Sequence, residues 1–137
     1  MRVFFDSSAF AKRYVNEAGS QAVLDWCDKA TEIVLSAIAL PELISAFCRL
    51  RREGGMSESQ YRRVKALLMA DIEDIAIGDL APAVIAETVT SLEAGPLRAL
   101  DALHIGTAVV LKADVFVSAD KRQRDAATRA GLRVELV

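Results

Sequence analysis

The amino-acid sequence predicts one α/β domain in which helices cover both faces of a parallel β-sheet. Short runs of consecutive apolar residues, such as residues 3–5 and 115–117, are typical of strands that are buried on both sides. Longer segments with apolar residues at helical spacing separate these runs, and this alternation favours right-handed crossovers between parallel strands. The 137 residues suffice for a substantial core, so a single domain is expected over residues 1–137.

Five strands and seven helices are predicted. The strands are expected at residues 2–5, 33–35, 75–77, 115–117 and 134–136, the last at an edge of the sheet. The helices are expected at residues 9–15, 21–30, 37–53, 58–68, 83–93, 98–112 and 121–130. Ser57 is placed to cap the fourth helix, whereas Gly55 and Gly131 end the third and the last.

Four acidic residues occupy positions where such a fold would bring them together. Asp6 directly follows the first strand and Asp120 closely follows the fourth, and the carboxyl ends of parallel strands share one edge of the sheet, where ligands bind. Glu42 lies early in the helix after the second strand and can face the same crevice. Asp101 lies between apolar neighbours in the helix before the fourth strand, and its orientation does not follow from spacing. Four converging carboxylates would suit Mg²⁺ or Mn²⁺.

Each acid also has a structural explanation. Asp6 and Asp120 are each placed to cap the helix that follows, and Glu42 to offset the dipole of a first helical turn. Asp101 could form a salt bridge with Arg98 on the adjacent turn. Because the helix is predicted to begin before Asp101, capping explains this residue less well, and a functional role is favoured for it.

The single histidine, His104, lies three residues after Asp101 and so on the same side of that helix. It could bind a metal ion, but a packed or hydrogen-bonded core histidine is the favoured interpretation on so apolar a helix. A histidine-rich metal site is excluded because the chain contains no second histidine.

Basic residues occur in three clusters. They are Arg49, Arg51 and Arg52; Arg62, Arg63 and Lys65; and Lys121, Arg122 and Arg124. The first two clusters are expected on solvent-exposed helix faces. The third follows Asp120 directly and could contact phosphate at the mouth of the acidic site.

The composition excludes several classes of protein function. The net charge of −2 excludes electrostatic binding of nucleic acid of the histone kind, so nucleic acid would need a local basic patch or a bound metal ion. Cys27 and Cys48 are expected to be free thiols, and no glycine-rich phosphate loop is present, which argues against nucleotide cofactors. No apolar segment is long enough to span a membrane and no signal-peptide core is found, so a cytoplasmic protein is expected.

Four segments of the chain resemble, in order and spacing, the motifs of PIN-domain ribonucleases, and the chain closely resembles the VapC toxins of bacterial and archaeal toxin–antitoxin pairs. The segments are Val3-Phe4-Phe5-Asp6-Ser7-Ser8-Ala9, Ala39-Leu40-Pro41-Glu42-Leu43, Leu100-Asp101-Ala102-Leu103-His104 and Phe116-Val117-Ser118-Ala119-Asp120. Each motif is short, but the ordered set covers essentially the whole chain. The family fold, a five-stranded parallel sheet between helices, agrees with the prediction above.

This resemblance implies a metal-dependent endoribonuclease that hydrolyses RNA phosphodiester bonds. The metal, Mg²⁺ or Mn²⁺, would be held by four carboxylates: Asp6 and Asp101 as principal ligands, and Glu42 and Asp120 directly or through water. Hydroxyl groups that support the site in relatives are matched by Ser7 and Ser118. The basic residues that could contact RNA are Lys121, Arg122 and Arg124.

The resemblance also implies a homodimer and a cognate VapB-like antitoxin, whose C-terminal segment lies along a groove of the toxin and blocks its site. Large side chains on the helices leave room for such a groove, although most of them are expected in the core: Phe10, Tyr14, Trp26, Phe47 and Leu50.

Other functions fit the chain less well. Haloacid-dehalogenase-like phosphatases need a second acid two residues after the first-strand acid, where this chain has Ser8, and receiver domains need a paired acid near the same strand. Two alternatives stay open: a non-catalytic PIN-like module that binds RNA or protein, and a PIN nuclease that processes ribosomal RNA without an antitoxin.

Overall fold

The computed structural model describes residues 1–137 and contains a five-stranded sheet with seven α-helices. The strands are β1 (Arg2–Phe5), β2 (Glu32–Ser36), β3 (Ala76–Gly78), β4 (Val115–Ser118) and β5 (Val134–Leu136). The helices are α1 (Ser7–Phe10), α2 (Ser20–Lys29), α3 (Ala39–Arg52), α4 (Glu58–Ile72), α5 (Pro82–Ala94), α6 (Ala99–Val110) and α7 (Lys121–Arg129), and a 3₁₀ turn covers Ala11–Arg13. The predicted fold class is confirmed.

All five strands are parallel, in the order β3-β2-β1-β4-β5. From β1 the chain first builds the sheet in one direction through β2 and β3, and then in the other through β4 and β5. The strand order therefore reverses between β1 and β4, and this is the place where open parallel sheets bind their ligands. Asp6 follows β1 and Asp120 lies just beyond β4, so both residues lie at this point.

Successive side chains of β1 point into two separate cores. Val3 and Phe5 pack in the larger core with α1 to α4, whereas Phe4 packs in the smaller core with α6 and α7. In the smaller core the ring of Phe4 stacks on that of Phe116 of β4, with centroids 5.2 Å apart. Each fully buried phenylalanine contributes about 1.5–3 kcal/mol of hydrophobic stabilisation. Both faces of the sheet are covered, as the continuous apolar strands predict.

Helix α5 lies directly against α6, and Gly106 of α6 makes this close approach possible. A Cβ atom at Gly106 would lie 2.5 Å from Oγ1 of Thr88 and 2.7 Å from the carbonyl oxygen of Val84, both on α5. No helix of the chain combines the length and the apolar character that crossing a membrane requires.

Among the helix starts that differ from the prediction, two bear on the positions of the acids. The first helix begins at Ser7 rather than residue 9, because the side chain of Asp6 accepts a hydrogen bond from the backbone N–H of Ala9 at 2.9 Å. The sixth begins at Ala99, since Arg98 has an extended backbone with φ −77° and ψ 150°. The expectation that Arg98 is already helical is wrong, and Asp101 consequently lies in the first turn of α6.

Candidate active site

The four acids of the sequence prediction line one cavity of about 320 Å³, which we call the acid cavity. It lies at the reversal of strand order, and helices α1, α3 and α6 contribute the rest of its wall. The polar and charged residues that line it are Asp6, Ser7, Ser8, Glu42, Arg49, Arg98, Asp101, His104 and Asp120.

Asp6 is the most deeply buried of the acids, with an exposed fraction of 3%. One carboxylate oxygen accepts from the backbone N–H of Ala9 at 2.9 Å and from the hydroxyl of Ser8 at 2.7 Å, and the other accepts from the buried hydroxyl of Ser118. Burial raises the pKa of Asp6, and the hydrogen bonds from Ser118 and Ser8 offset this only in part. Asp6 therefore caps α1, as the structural explanation predicts, and also presents a destabilised charge to the cavity.

Glu42 is held by two donors from other elements. The hydroxyl of Ser7 donates to Oε1 of Glu42 at 2.8 Å, and Nε2 of His104 lies 2.5 Å from the same oxygen. Burial acts to raise the pKa of Glu42, but the hydrogen bond and charge of His104, with the hydrogen bond from Ser7, hold it below its ordinary value.

His104 is 2% exposed, and the interpretation as a hydrogen-bonded core histidine is confirmed. Its other ring nitrogen, Nδ1, is buried without a hydrogen-bond partner. Because Nε2 lies within hydrogen-bond distance of a carboxylate oxygen, it is the ring nitrogen that carries a proton and donates to Glu42.

Asp101 forms the salt bridge that the sequence offered as its structural explanation. Its Oδ2 accepts from Nε of Arg98 at 2.9 Å, and its backbone carbonyl accepts from the side chain of Gln123 at 3.0 Å. The hydrogen bond and charge of Asp101 raise the pKa of Arg98, and the more distant charges of Asp120 and Glu42 add to this effect. The exposed Arg98 guanidinium thus interacts with three of the four acids.

Asp120 and Ser118 connect the cavity to α7. One Asp120 oxygen accepts from the backbone N–H of Arg122 at 2.8 Å, so Asp120 caps α7. The hydroxyl of Ser118 accepts from the backbone N–H of Asp120 at 3.0 Å while it donates to Asp6. Ser118 therefore fixes the relative positions of two acids.

The basic residues are distributed differently from the expectation. None of Lys121, Arg122 and Arg124 lines the acid cavity; Arg122 lines a neighbouring one, and Arg124 pairs with Asp125 at 2.9 Å. Arg49, expected on a solvated helix face, does line the acid cavity. The signal for Arg49 was its spacing, since it lies seven residues after Glu42 and so on the same face of α3.

The ligand types in the acid cavity suit a hard divalent cation, because they are carboxylate and hydroxyl oxygens. In the present side-chain positions, no three His, Cys, Asp or Glu side chains lie close enough together to bind a metal ion. Each carboxylate is instead hydrogen-bonded to protein donors, among them Ser118 on Asp6, His104 on Glu42, Arg98 on Asp101 and the Arg122 backbone on Asp120. A cation would therefore bind by exchanging for some of these donors, chiefly the exposed Arg98.

Known proteins resemble this chain in sequence and in fold. The family model of the PIN domain matches residues 3–129. Ribonuclease VapC45 of Mycobacterium tuberculosis (strain CDC 1551 / Oshkosh) is 32% identical over 142 residues, covering 96% of this chain and 93% of the relative. FitAcB from Neisseria gonorrhoeae has a TM-score of 0.71 at 17% identity, with 96% of this chain and 95% of that chain covered. A toxin–antitoxin complex from Klebsiella pneumoniae has a TM-score of 0.67 at 11% identity, with 88% of each chain covered.

The two structural similarities establish the fold, while the family model and the ribonuclease cover nearly the whole chain and establish the family. The chain belongs to the PIN-domain family and is a relative of the VapC ribonucleases.

Proposed function

We propose that this protein is a divalent-metal-dependent endoribonuclease that acts as the toxin of a toxin–antitoxin pair. The observation that carries the proposal is that four carboxylates line one cavity at the reversal of strand order, and that the most buried of them has a raised pKa. The relative named Ribonuclease VapC45 and the structural neighbour described as a toxin–antitoxin complex support the same assignment.

Asp6 and Asp101 are the proposed principal ligands of Mg²⁺ or Mn²⁺, and Glu42 and Asp120 bind directly or through water. The bound ion would lower the pKa of a water molecule and stabilise negative charge at the scissile phosphate. Cleavage is expected to leave a 5′-phosphate and a 3′-hydroxyl.

The other residues of the acid cavity orient these acids by hydrogen bonds and add positive charge beside them. Ser118 and Ser8 fix the orientation of Asp6 by hydrogen bonds, and Ser7 and His104 do the same for Glu42. This support matters because a misplaced reacting group loses much of the rate gained from orientation. Arg49 adds a positive charge without a salt-bridge partner at the edge of the same cavity, where it can attract phosphate.

The antitoxin is proposed to cover an apolar cavity of about 290 Å³ that adjoins the acid cavity. Phe47 and Leu50 line this cavity, and Arg49 lines both. Of the large side chains considered for a groove, Phe10 and Phe47 are fully buried in the core, whereas Tyr14, Trp26 and Leu50 are partly exposed. A segment lying over Leu50 would end beside the acids and block them.

The proposed homodimer has a candidate surface on α5. Ile85, Val89 and Leu92 form one stripe of this helix, and their side chains are 44%, 46% and 37% exposed. Exposed apolar stripes of this kind mark interaction surfaces.

The decisive experiment is cleavage of total RNA by the purified protein with Mg²⁺, with Mn²⁺ and with chelator. We expect metal-dependent cutting that is lost to background in Asp101→Asn, because this change removes a proposed ligand while keeping the side-chain shape. Asp79→Asn is the matched control, since Asp79 is exposed and lies outside the acid cavity. If the folded, antitoxin-free protein cuts no RNA with either metal, the non-catalytic binding module is the correct assignment.

A further inference from the structure

A second cavity, of about 490 Å³, adjoins the acid cavity on the side of α7, and we call it the arginine cavity. Its charged lining consists of Arg98, Arg122, Arg129, Asp101 and Asp125. Arg98 and Asp101 line both cavities, so a ligand in one is directly next to a ligand in the other.

The arginine cavity has an excess of positive charge that the protein does not neutralise. Its three guanidinium groups face two carboxylates, and both carboxylates are already paired, Asp101 with Arg98 and Asp125 with Arg124. Arg122 and Arg129 form no salt bridge. Two free guanidinium groups in one cavity are a suitable site for phosphate, which arginine binds through two parallel hydrogen bonds.

The backbone fixes where these two arginines point. Arg122 and Arg129 are seven residues apart on α7, so they lie on the same face, about 10 Å apart along the helix axis. The guanidinium of Arg129 rests against Gly95, where an added Cβ atom would lie 2.8 Å from Nη2 of Arg129. A side chain at position 95 would therefore displace Arg129 from this position.

We propose that the arginine cavity binds a backbone phosphate of the RNA next to the phosphate that is cleaved, with Arg122 and Arg129 as its ligands. This inference rests on the proposed ribonuclease function, because that function places the scissile phosphate in the acid cavity. From the scissile phosphate, the RNA strand would pass over Arg98 and Asp101, which line both cavities, and place its next phosphate in the arginine cavity. The two arginines then fix the RNA in register with the acids, as phosphate contacts do in other nucleic-acid complexes.

The test measures RNA binding separately from cleavage. Asp6→Asn serves as the background, since Asp6 lines the acid cavity but not the arginine cavity. Binding of a short fluorescein-labelled single-stranded RNA is followed by anisotropy at fixed Mg²⁺, between about 50 and 200 mM KCl. The double variant Arg122→Gln/Arg129→Gln is compared with Arg62→Gln/Lys65→Gln, which removes the same charge from exposed positions on α4.

We expect the first double variant to lose about 0.7 from the slope of log K against log salt, the change that counterion release gives for one phosphate contact on single-stranded RNA. At about 0.1 M salt this corresponds to about 5-fold weaker binding. The control should keep the slope of the background protein. Gly95→Ala, which changes no charge, should weaken binding in the same direction by displacing Arg129.

A slope and affinity equal to those of the control would overturn the proposal. If the Arg122→Gln/Arg129→Gln variant binds RNA as the control does but no longer binds inorganic phosphate, the cavity binds free phosphate rather than RNA. Cleavage by the protein with Asp6 intact is scored separately. If the double variant changes RNA binding as expected but the protein with Asp6 intact does not cleave RNA, the ribonuclease function is contradicted and the RNA contact stands.

Discussion

Replacing Asp6 by asparagine should make the metal-free protein more stable at neutral pH, although it should abolish cleavage. Asp6 is 3% exposed, and burial raises its pKa in the folded state. The folded protein therefore binds this proton more tightly than the unfolded chain does. The stability that this carboxyl group contributes is complete below its unfolded pKa and is lost as the pH rises through the folded pKa. Where Asp6 is ionised, the wild-type protein bears the cost of the buried charge, and the asparagine variant bears none.

The expected gain is on the order of 1–3 kcal/mol. Burial of a carboxylate costs several kcal/mol, and hydrogen bonds to a charged group return about 1.5–3 kcal/mol each. The raised pKa shows that the donors on Asp6 do not fully offset the burial. Asparagine has the same shape, and its oxygen can keep the hydrogen bonds from Ser8 and the Ala9 backbone. For a chain of 137 residues, each kcal/mol raises the Tm by roughly 3–5 °C.

Thermal unfolding of both proteins in chelator, from pH 7 down to pH 4, measures this effect. The Tm difference should be largest at pH 7 and should shrink as Asp6 becomes protonated. Addition of Mg²⁺ should raise the Tm of the wild type more than that of the variant, because the variant lacks a proposed ligand. Asp79→Asn controls for the loss of one exposed carboxylate. An asparagine variant that is less stable than the wild type in chelator at pH 7 would refute the idea that the charge of Asp6 is kept for function at the expense of stability.

Two further predictions concern His104 and Gly106. His104→Phe removes the donor to Glu42 and should weaken Mn²⁺ binding by about 10–100-fold in an electron paramagnetic resonance titration. His104→Gln should restore part of this affinity. Equal Mn²⁺ affinities of the wild type and His104→Phe would show that His104 only fills space. Gly106→Ala should destabilise the protein by about 1–3 kcal/mol in urea unfolding, because the new Cβ atom would overlap with Thr88 and the Val84 carbonyl of α5, and an unchanged midpoint would contradict this packing.

The parts of the site that depend on local patterns were predictable from sequence. Strand β1 covers the residues that its apolar run indicates, and Asp6 caps the following helix as a residue of its type does at that position. Parallel topology then places Asp6 and Asp120 at one edge without any knowledge of side-chain contacts. These inferences hold because strand burial, capping and crossover handedness are properties of short segments.

The parts that depend on long side chains and distant segments were not predictable. Arg98 has neighbours that favour helix, but its backbone is extended and its side chain pairs with Asp101. Arg49 and Arg129 are exposed arginines on helices, and such residues are common on any soluble protein. For Arg49 the spacing of seven residues from Glu42 was a usable signal, whereas for Arg129 only the packing of α7 around the sheet shows that it borders a cavity.

In the proposed function, the arrangement of the two cavities lets a chain of net charge −2 hold an anionic polymer. A single acidic site would repel RNA, and a uniformly basic surface would bind it without positioning one bond for cleavage. Here the carboxylates lie in one cavity and the unpaired guanidinium groups of Arg122 and Arg129 in the next, with the Arg98–Asp101 pair between them. In the proposed function, the acid cavity takes its positive charge from the metal, and the arginine cavity supplies its own. RNA binding and cleavage thereby depend on different residues, so charge removal at α7 should weaken RNA binding, whereas charge removal at Asp6 should abolish cleavage.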